Sequence, residues 1–143
     1  MKYKVAFVCV HNSCRSQMAE AIAKKFASEV LEVYSAGTGI KEQIDVNAVK
    51  VVKELYNIDM RENQAPKKIS EIPAVYIVIK MGCNISCPFL PAKIVEEWDI
   101  DDPSGENKEK YALTAKKIEE KVIKLADKVK NWDFKAKFLI LRG

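Results

Sequence analysis

The strongest constraint on the fold is an apolar, β-branched run over residues 4–10 that is followed closely by a helical pattern. A run without polar alternation is typical of a strand buried on both faces of a parallel sheet. From Ser16 onward apolar residues recur at helical spacing, with lysines on the opposite side. The sequence therefore predicts a buried strand that ends near Cys9 and a helix after a short loop. The predicted inward positions of that helix are Met18, Ala19, Ile22, Ala23 and Phe26.

The same alternation of strand and helix continues along the chain. Further strands are predicted over residues 31–35, 75–79 and 93–97, with a helix capped by Asp45 and a long helix over residues 108–130. Because strands alternate with helices, the pattern predicts a parallel sheet with helices on both faces. The predicted inward residues are Val46, Val49, Val52 and Leu55 in the first of these helices, and Leu113, Ile118, Val122, Leu125 and Val129 in the second.

Two segments have less regular patterns. Residues 60–73 are polar and bounded by proline, which predicts a loop with a short helical turn. The apolar tail over residues 134–142 fits a segment that covers the core, an added edge strand or a docking arm, and we expect the first.

Length and composition indicate one globular domain over residues 1–143. The apolar runs are much shorter than the roughly 20 residues that cross a bilayer, so we expect no membrane span. No secretory signal is evident at the start of the chain, so a cytoplasmic protein is expected. The net charge is +4, but the lysines are spread over helix faces, so the sequence does not indicate a nucleic-acid partner.

The segment between the first strand and its helix carries the chemistry. Four cysteines in a cytoplasmic chain are more often catalytic or metal-binding than disulfide-bonded. Ligands of open α/β sheets bind beyond the carboxyl ends of the strands, where backbone N–H groups and a helix N-terminus can hold an anion. The sequence therefore predicts an oxyanion-binding loop made of Cys9, Val10, His11, Asn12, Ser13, Cys14, Arg15 and Ser16.

Each charged or nucleophilic residue of this loop has a predicted role. Arg15 would clamp two oxygens of the anion, and the positive surroundings would keep Cys9 as a nucleophilic thiolate. Ser16 can donate a hydrogen bond to the sulfur, and Asn12 can brace the loop. A Cys-x5-Arg spacing alone occurs by chance in many proteins, so the position between strand and helix carries the prediction. Asp102, before a proline, is the candidate general acid. The alternative is that Asp101 and Asp102 cap the following helix, and both roles can hold, with one aspartate in each.

Four segments of the chain resemble the low-molecular-weight protein tyrosine phosphatase superfamily, and the resemblance covers essentially residues 3–130. The segments are residues 9–20, residues 34–38 (Tyr-Ser-Ala-Gly-Thr), the predicted helix over residues 45–57 and residues 98–103 (Trp-Asp-Ile-Asp-Asp-Pro). Within the superfamily, the chain is similar to the thioredoxin-coupled arsenate reductases. The resemblance implies a four-stranded parallel sheet flanked by helices. It also implies Cys9 as nucleophile, Arg15 as oxyanion clamp and Asp102 as general acid.

Reductases of this branch have two further redox cysteines, and Cys83 and Cys87 stand in that region. The resemblance implies a relay in which Cys83 attacks Cys9, Cys87 attacks Cys83, and a thioredoxin-like reductant restores the pair. The alternatives are two buried small side chains or half of a zinc site. Two features depart from the branch: its redox cysteines are generally more widely spaced, and His11 stands at a position that is usually glycine. We expect His11 to face solvent and Cys14 to be packed rather than reactive.

Three functions remain open from the sequence. The first is an arsenate reductase, the second is a phosphatase that needs only Cys9, Arg15 and Asp102, and the third is a non-enzymatic anion-binding module. Asn12, Glu20 and Ser35 match positions that bind potassium in some relatives, but the aspartate that completes that site is replaced near residues 65–66. We therefore predict no metal site and no cofactor, with Glu20 paired to a lysine or an arginine.

Overall fold

A computed structural model describes residues 2–82 and 90–142, and it contains one four-stranded parallel sheet. The strands are β1 (Tyr3–Val8), β2 (Leu31–Ala36), β3 (Ile77–Lys80) and β4 (Ile94–Glu97), in the spatial order β2-β1-β3-β4. The helices are α1 (Arg15–Phe26), α2 (Val46–Tyr56), α3 (Met60–Asn63) and α4 (Lys108–Arg142), with a 3-10 helix over Ile69–Glu71. The predicted α/β fold, a four-stranded parallel sheet flanked by helices, is confirmed.

Strand β1 lies in the middle of the sheet, and its carboxyl end defines the edge where ligands of such sheets bind. Val5 pairs with Val33 of β2 on one side and with Ile77 of β3 on the other. Beyond β1, the backbone N–H of Cys9 donates to the Ala36 carbonyl at 3.3 Å. The loop that begins at Cys9 therefore starts at the carboxyl ends of two adjacent strands.

Among the described residues, the core contains two clusters, one on each face of the sheet. The larger one joins alternate residues of β1 and β3, such as Phe7 and Ile79, to buried side chains of α1, α2 and α4. The smaller one contains Ala6, Val8, Val75 and Val78, with Tyr34, Ile72, Leu90 and Ala92 packed against it. Burial on both faces explains why β1 is apolar without alternation.

The long helix α4 differs from the prediction at both ends of its pattern. Four of its predicted inward residues are buried, but Leu113 is 53% exposed and Tyr111 and Ala115 take the inward positions. At 3.6 residues per turn, residue 113 lies off the stripe that runs through residues 111, 115 and 118. The helix also continues to Arg142, 35 residues in all, so the edge-strand alternative for the tail is wrong.

Three residues at the ends of α1 and α2 that were predicted to face inward are partly exposed. Val46 is 59% exposed, Leu55 and Phe26 are also partly exposed, and Val51 is buried instead. The inward assignments of Val46, Leu55 and Phe26 are therefore wrong. The predicted cap is present, since the Asp45 side chain accepts bonds from two N–H groups of the first turn of α2. Within the described part of the chain, no helix has both the length and the apolar character of a membrane span.

Candidate active site

The loop from Cys9 to Cys14 connects β1 to α1 and is held by the segment that follows β2. Thr38 and Gly39 both donate backbone N–H groups to the Val10 carbonyl, at 3.0 and 2.9 Å, and Lys41 donates to the His11 carbonyl at 3.2 Å. Asn12 is fully buried in the left-handed region, with φ of 49°. The N-cap residue of α1, Cys14, makes no side-chain capping hydrogen bond. The loop thus places the N-terminus of α1 at the carboxyl edge of the sheet, a geometry suited to an anion.

The Cys9 sulfur lies 2.9 Å from the Ser16 hydroxyl oxygen. The amide nitrogen of Asn12 donates to the same hydroxyl oxygen at 2.9 Å. Because an amide NH2 group only donates, the Ser16 proton is free to point at the sulfur. The buried arrangement can therefore stabilise a thiolate at Cys9 through a charge-assisted hydrogen bond.

Arg15, the first residue of α1, links the loop to the segment after β4. One guanidinium nitrogen donates to the Ile100 carbonyl at 2.8 Å, and the other lies 3.9 Å from the Asp102 carboxylate. Arg15 and Asp102 border a cavity of about 380 Å³. Its lining is Cys9, Val10, His11, Ser13, Cys14, Arg15, Lys41, Gly82, Asp102 and Ser104.

Asp102 faces this cavity with one oxygen fixed by Ser104, whose N–H and hydroxyl donate to it at 3.0 and 2.7 Å. Partial burial raises the pKa of the carboxyl, but the Ser104 bonds and the charges of Arg15 and Lys41 outweigh it, so the net pKa is lowered. Asp102 is therefore ionised at neutral pH in the free site. The helix-cap alternative is wrong, because Asn107 supplies the side-chain oxygen that accepts the N–H of Lys110 at the start of α4.

The sequence predicts that Cys14 is packed rather than reactive and that His11 faces solvent. Cys14 is buried, and burial together with the charges of Asp45 and Asp102 raises the pKa of its thiol well above the ordinary value. It is a packed, protonated thiol, as expected. The ring of His11 is exposed, and its Nδ1 lies 2.9 Å from the Gly39 carbonyl oxygen. His11 therefore lies at the mouth of the cavity, beside solvent.

Sequence reasoning missed several residues that shape the loop from outside it. Gln17 donates through its side-chain amide to both the carbonyl and the side-chain oxygen of Asn12, each at 3.0 Å. Lys67 donates its backbone N–H to the same side-chain oxygen at 2.8 Å. Gly37 lies under the loop, where a Cβ atom would be 2.6 Å from the Val10 carbonyl oxygen. Only the resemblance over residues 34–38 gave any signal for Gly37.

The residues that match potassium ligands in relatives are engaged with protein groups. Glu20 is 3% exposed. Its carboxylate accepts from Ser35 at 2.5 Å and pairs with Lys24 at 2.5 Å and Lys67 at 3.5 Å. The predicted pairing of Glu20 with a lysine is therefore present. Over residues 2–82 and 90–142, no three His, Cys, Asp or Glu side chains are grouped so that they could hold a metal.

Cys83 and Cys87 lie outside the described residues. The residue before them is described: Gly82, which has φ of 70°, lines the cavity beside Arg15. A Cβ atom there would lie 2.7 Å from a guanidinium nitrogen of Arg15. The chain therefore passes directly against the arginine as it enters the segment that carries both cysteines.

Comparison with known proteins agrees with this geometry. The model of the low molecular weight phosphotyrosine protein phosphatase family matches residues 4–134. A glutaredoxin arsenate reductase of Synechocystis sp. is 32% identical over 131 residues, covering 88% of this chain and 98% of that protein. A solved structure of an arsenate reductase in the phosphate binding state superimposes with a TM-score of 0.79 at 33% identity, over 90% of this chain and 99% of that one. A low molecular weight protein tyrosine phosphatase from T. tengcongensis gives 0.74 at 28% identity, over 89% and 99%. The chain belongs to the low molecular weight phosphotyrosine protein phosphatase family.

Proposed function

We propose that this protein is an arsenate reductase that uses Cys9 as its nucleophile and Cys83 and Cys87 as a redox pair. The observation that carries the proposal is the position of Gly82 in the wall of the Cys9 cavity, one residue before Cys83. Reduction of arsenate by thiols needs a second thiol close to the nucleophile. Hydrolysis of a phosphate ester does not need one. Relatives that cover nearly the whole chain are themselves arsenate reductases.

In the first step, the Cys9 thiolate attacks arsenic and an As–O bond breaks. The departing oxygen leaves as water after taking up protons, which gives a sulfur–arsenic(V) adduct in the loop. Arg15 and the N-terminus of α1 would hold the remaining oxygens. Because Asp102 is ionised in the free site, the proton that it passes on must enter with a protonated arsenate ion.

In the second step, the Cys83 thiolate attacks the sulfur of Cys9. The electron pair of the S–As bond goes to arsenic, which leaves as arsenite, while the two thiols become a Cys9–Cys83 disulfide. Cys87 then attacks Cys83 and releases Cys9 as a thiolate. A dithiol reductant of the thioredoxin or glutaredoxin class reduces the Cys83–Cys87 disulfide and completes the cycle. A four-residue separation within a turn or helix gives a Cα distance of about 6 Å, which a disulfide can bridge.

The reducing cytoplasm supplies such a reductant, and it is the compartment that we propose for this protein. The cavity walls also favour a small ion over an aryl phosphate. Within the described part of the chain, no aromatic side chain lines the cavity, and Lys41, Asp102 and Ser104 form its polar rim. A phosphotyrosine ring is bound best against an apolar or aromatic wall.

The experiment follows NADPH consumption by the purified protein with arsenate, thioredoxin and thioredoxin reductase. We expect arsenate-dependent consumption in the wild type, and its loss in Cys9→Ser, Cys83→Ser and Cys87→Ser. Ser86→Ala, which lies between the two cysteines and removes no thiol, is the matched control and should retain activity. Glutaredoxin with glutathione and glutathione reductase replaces the first system in a parallel assay, which identifies the reductant.

Phosphomonoester hydrolysis is the second candidate, because the family model and the relative from T. tengcongensis are phosphatases. It needs only Cys9, Arg15 and Asp102. The result that supports it is hydrolysis of p-nitrophenyl phosphate that survives both Cys83→Ser and Cys87→Ser, with no arsenate-dependent NADPH consumption in either coupling system. That result would refute the reductase proposal.

A further inference from the structure

We propose that Lys67 is a positioning residue. Its pairing with buried Glu20 fixes the orientation of the Asn12 amide, and this orientation makes the Ser16 hydroxyl donate its hydrogen bond to the Cys9 sulfur. The inference rests on the proposed function only in taking Cys9 as the nucleophile. Lys67 lies 55 positions along the chain from Asn12 and does not line the cavity. Its effect on the sulfur would pass through two side chains, each seen in hydrogen-bond contact with the next.

The first link is the ion pair. Glu20 is a nearly fully buried carboxylate on α1, and such a charge is retained only when cations and hydrogen bonds compensate it. Lys24 comes from the same helix, so its pairing constrains nothing outside α1. Lys67 comes from the connection between α3 and the 3-10 helix, so its pairing joins that connection to α1. The ammonium of Lys67 also donates to the Ala65 carbonyl at 2.8 Å, which fixes its direction.

The second link is the main chain of Lys67. Its N–H donates to the side-chain oxygen of Asn12 at 2.8 Å, and its carbonyl accepts the N–H of Gly37 at 2.8 Å. Gly37 itself lies against the Cys9 and Val10 carbonyls. The ion pair at one end of Lys67 therefore fixes a backbone group that touches the inside of the nucleophile loop.

The third link is the orientation of the Asn12 amide. Its oxygen receives two donors, from Lys67 and Gln17, so its NH2 group must face the hydroxyl of Ser16. With the NH2 group on that side, the Cys9 sulfur is the acceptor that the described residues offer to the Ser16 hydroxyl. If the Lys67 backbone withdrew, the amide could turn and present its oxygen to Ser16. The Ser16 hydroxyl would then donate its hydrogen bond to the Asn12 oxygen instead of the Cys9 sulfur, and the thiolate would lose a hydrogen bond.

The test measures iodoacetamide alkylation of the Cys9 peptide by mass spectrometry, in the full-length protein across the pH range. The peptide readout separates Cys9 from the other thiols. For Lys67→Met we expect the midpoint of the profile to rise by about half to one pH unit, which is roughly a three- to tenfold slower reaction below both midpoints. Lys67→Arg should restore the wild-type profile, and Lys67→Gln gives a second neutral side chain should the methionine variant fail to fold.

Lys24→Met is the matched control, because it removes the other cation from Glu20 without touching the loop connection. It should lower stability and leave the Cys9 midpoint in place. The other titratable groups that line the cavity in the described part of the chain are Arg15, His11, Cys14, Lys41 and Asp102, and they are unchanged in every variant. A wild-type midpoint in folded Lys67→Met and Lys67→Gln would overturn the positioning role. A wild-type Cys9 that reacts no faster than a free cysteine near neutral pH would instead overturn Cys9 as the nucleophile, and with it the proposed function.

Discussion

Gly37→Ala is the substitution for which the structure gives the most direct expectation. Gly37 follows β2, and the nucleophile loop passes directly over its α-carbon. An added Cβ atom would lie 2.6 Å from the Val10 carbonyl oxygen, 2.7 Å from the Cys9 carbonyl oxygen and 3.0 Å from the Asn12 backbone nitrogen. All three are main-chain atoms, so no side-chain rotation can relieve the contact. The loop or β2 has to move.

The size of the movement follows from these distances. To reach an ordinary contact of 3.4 Å, the carbonyls of Cys9 and Val10 must retreat by 0.7 and 0.8 Å. Overpacking of this kind costs about 1 to 3 kcal/mol of stability. Misplacement of a reacting group by about 1 Å costs roughly 100-fold in rate. We therefore expect Gly37→Ala to fold with reduced stability and to lose about two orders of magnitude in kcat/KM.

Gly39→Ala is the control, since Gly39 lies two residues further on and donates its N–H to the Val10 carbonyl. Among the described residues, a Cβ atom there would meet only a methyl carbon of Val10, at 3.9 Å. The assay is arsenate-dependent NADPH consumption at several substrate concentrations, with urea unfolding of both variants. If Gly37→Ala kept a kcat/KM within about threefold of Gly39→Ala, the close approach would not govern the loop and this reasoning would be refuted.

Three further substitutions test the surroundings of the loop. Ser16→Ala removes the only side-chain hydrogen bond seen on Cys9 among the described residues, and a bond to a charged group contributes about 1.5 to 3 kcal/mol; alkylation of Cys9 near pH 6 should slow by tenfold or more while the far-UV circular dichroism is unchanged. Tyr111→Phe removes a partly buried hydrogen bond to Asp45 at 2.8 Å and should cost about 1 kcal/mol in urea unfolding at pH 7. Burial and then Asp45 raise the pKa of Tyr111 to about 12, so the protonated form stabilises the fold; the cost should be full below pH 10 and disappear as the pH rises through 12. Asp102→Asn should be slightly destabilising at pH 7, and because the folded pKa of Asp102 is lowered, the difference should vanish as the pH falls below the ordinary value of 3.8; equal urea midpoints at pH 7 would contradict this.

Local patterns predicted the parts of this protein that depend on neighbours in sequence. The apolar run of β1, the Asp45 cap and the Ser16 contact with Cys9 each involve residues within one strand, turn or loop. The wrong inward assignments lie in helices where more apolar residues are present than one buried face can take. Leu113 and Tyr111 of α4 are both apolar and only two positions apart, so periodicity alone left their register open, and packing against α1 and α2 decided it.

The contacts that shape the loop from outside could not be predicted in the same way, because they join distant segments through backbone atoms. From its residue type, a lysine such as Lys67 is predicted to lie on a solvated surface. Its contact with the loop is made by a main-chain N–H, a group that every residue except proline has. The Asn12 amide collects these contacts, with donors from Gln17 and Lys67 on its oxygen and Ser16 on its nitrogen. Because Gln17 still donates to the amide oxygen when the Lys67 N–H is withdrawn, loss of one donor should turn the amide in only part of the molecules. Loss of both should therefore affect Cys9 by more than the sum of the single losses, which is the behaviour of groups that act as one unit.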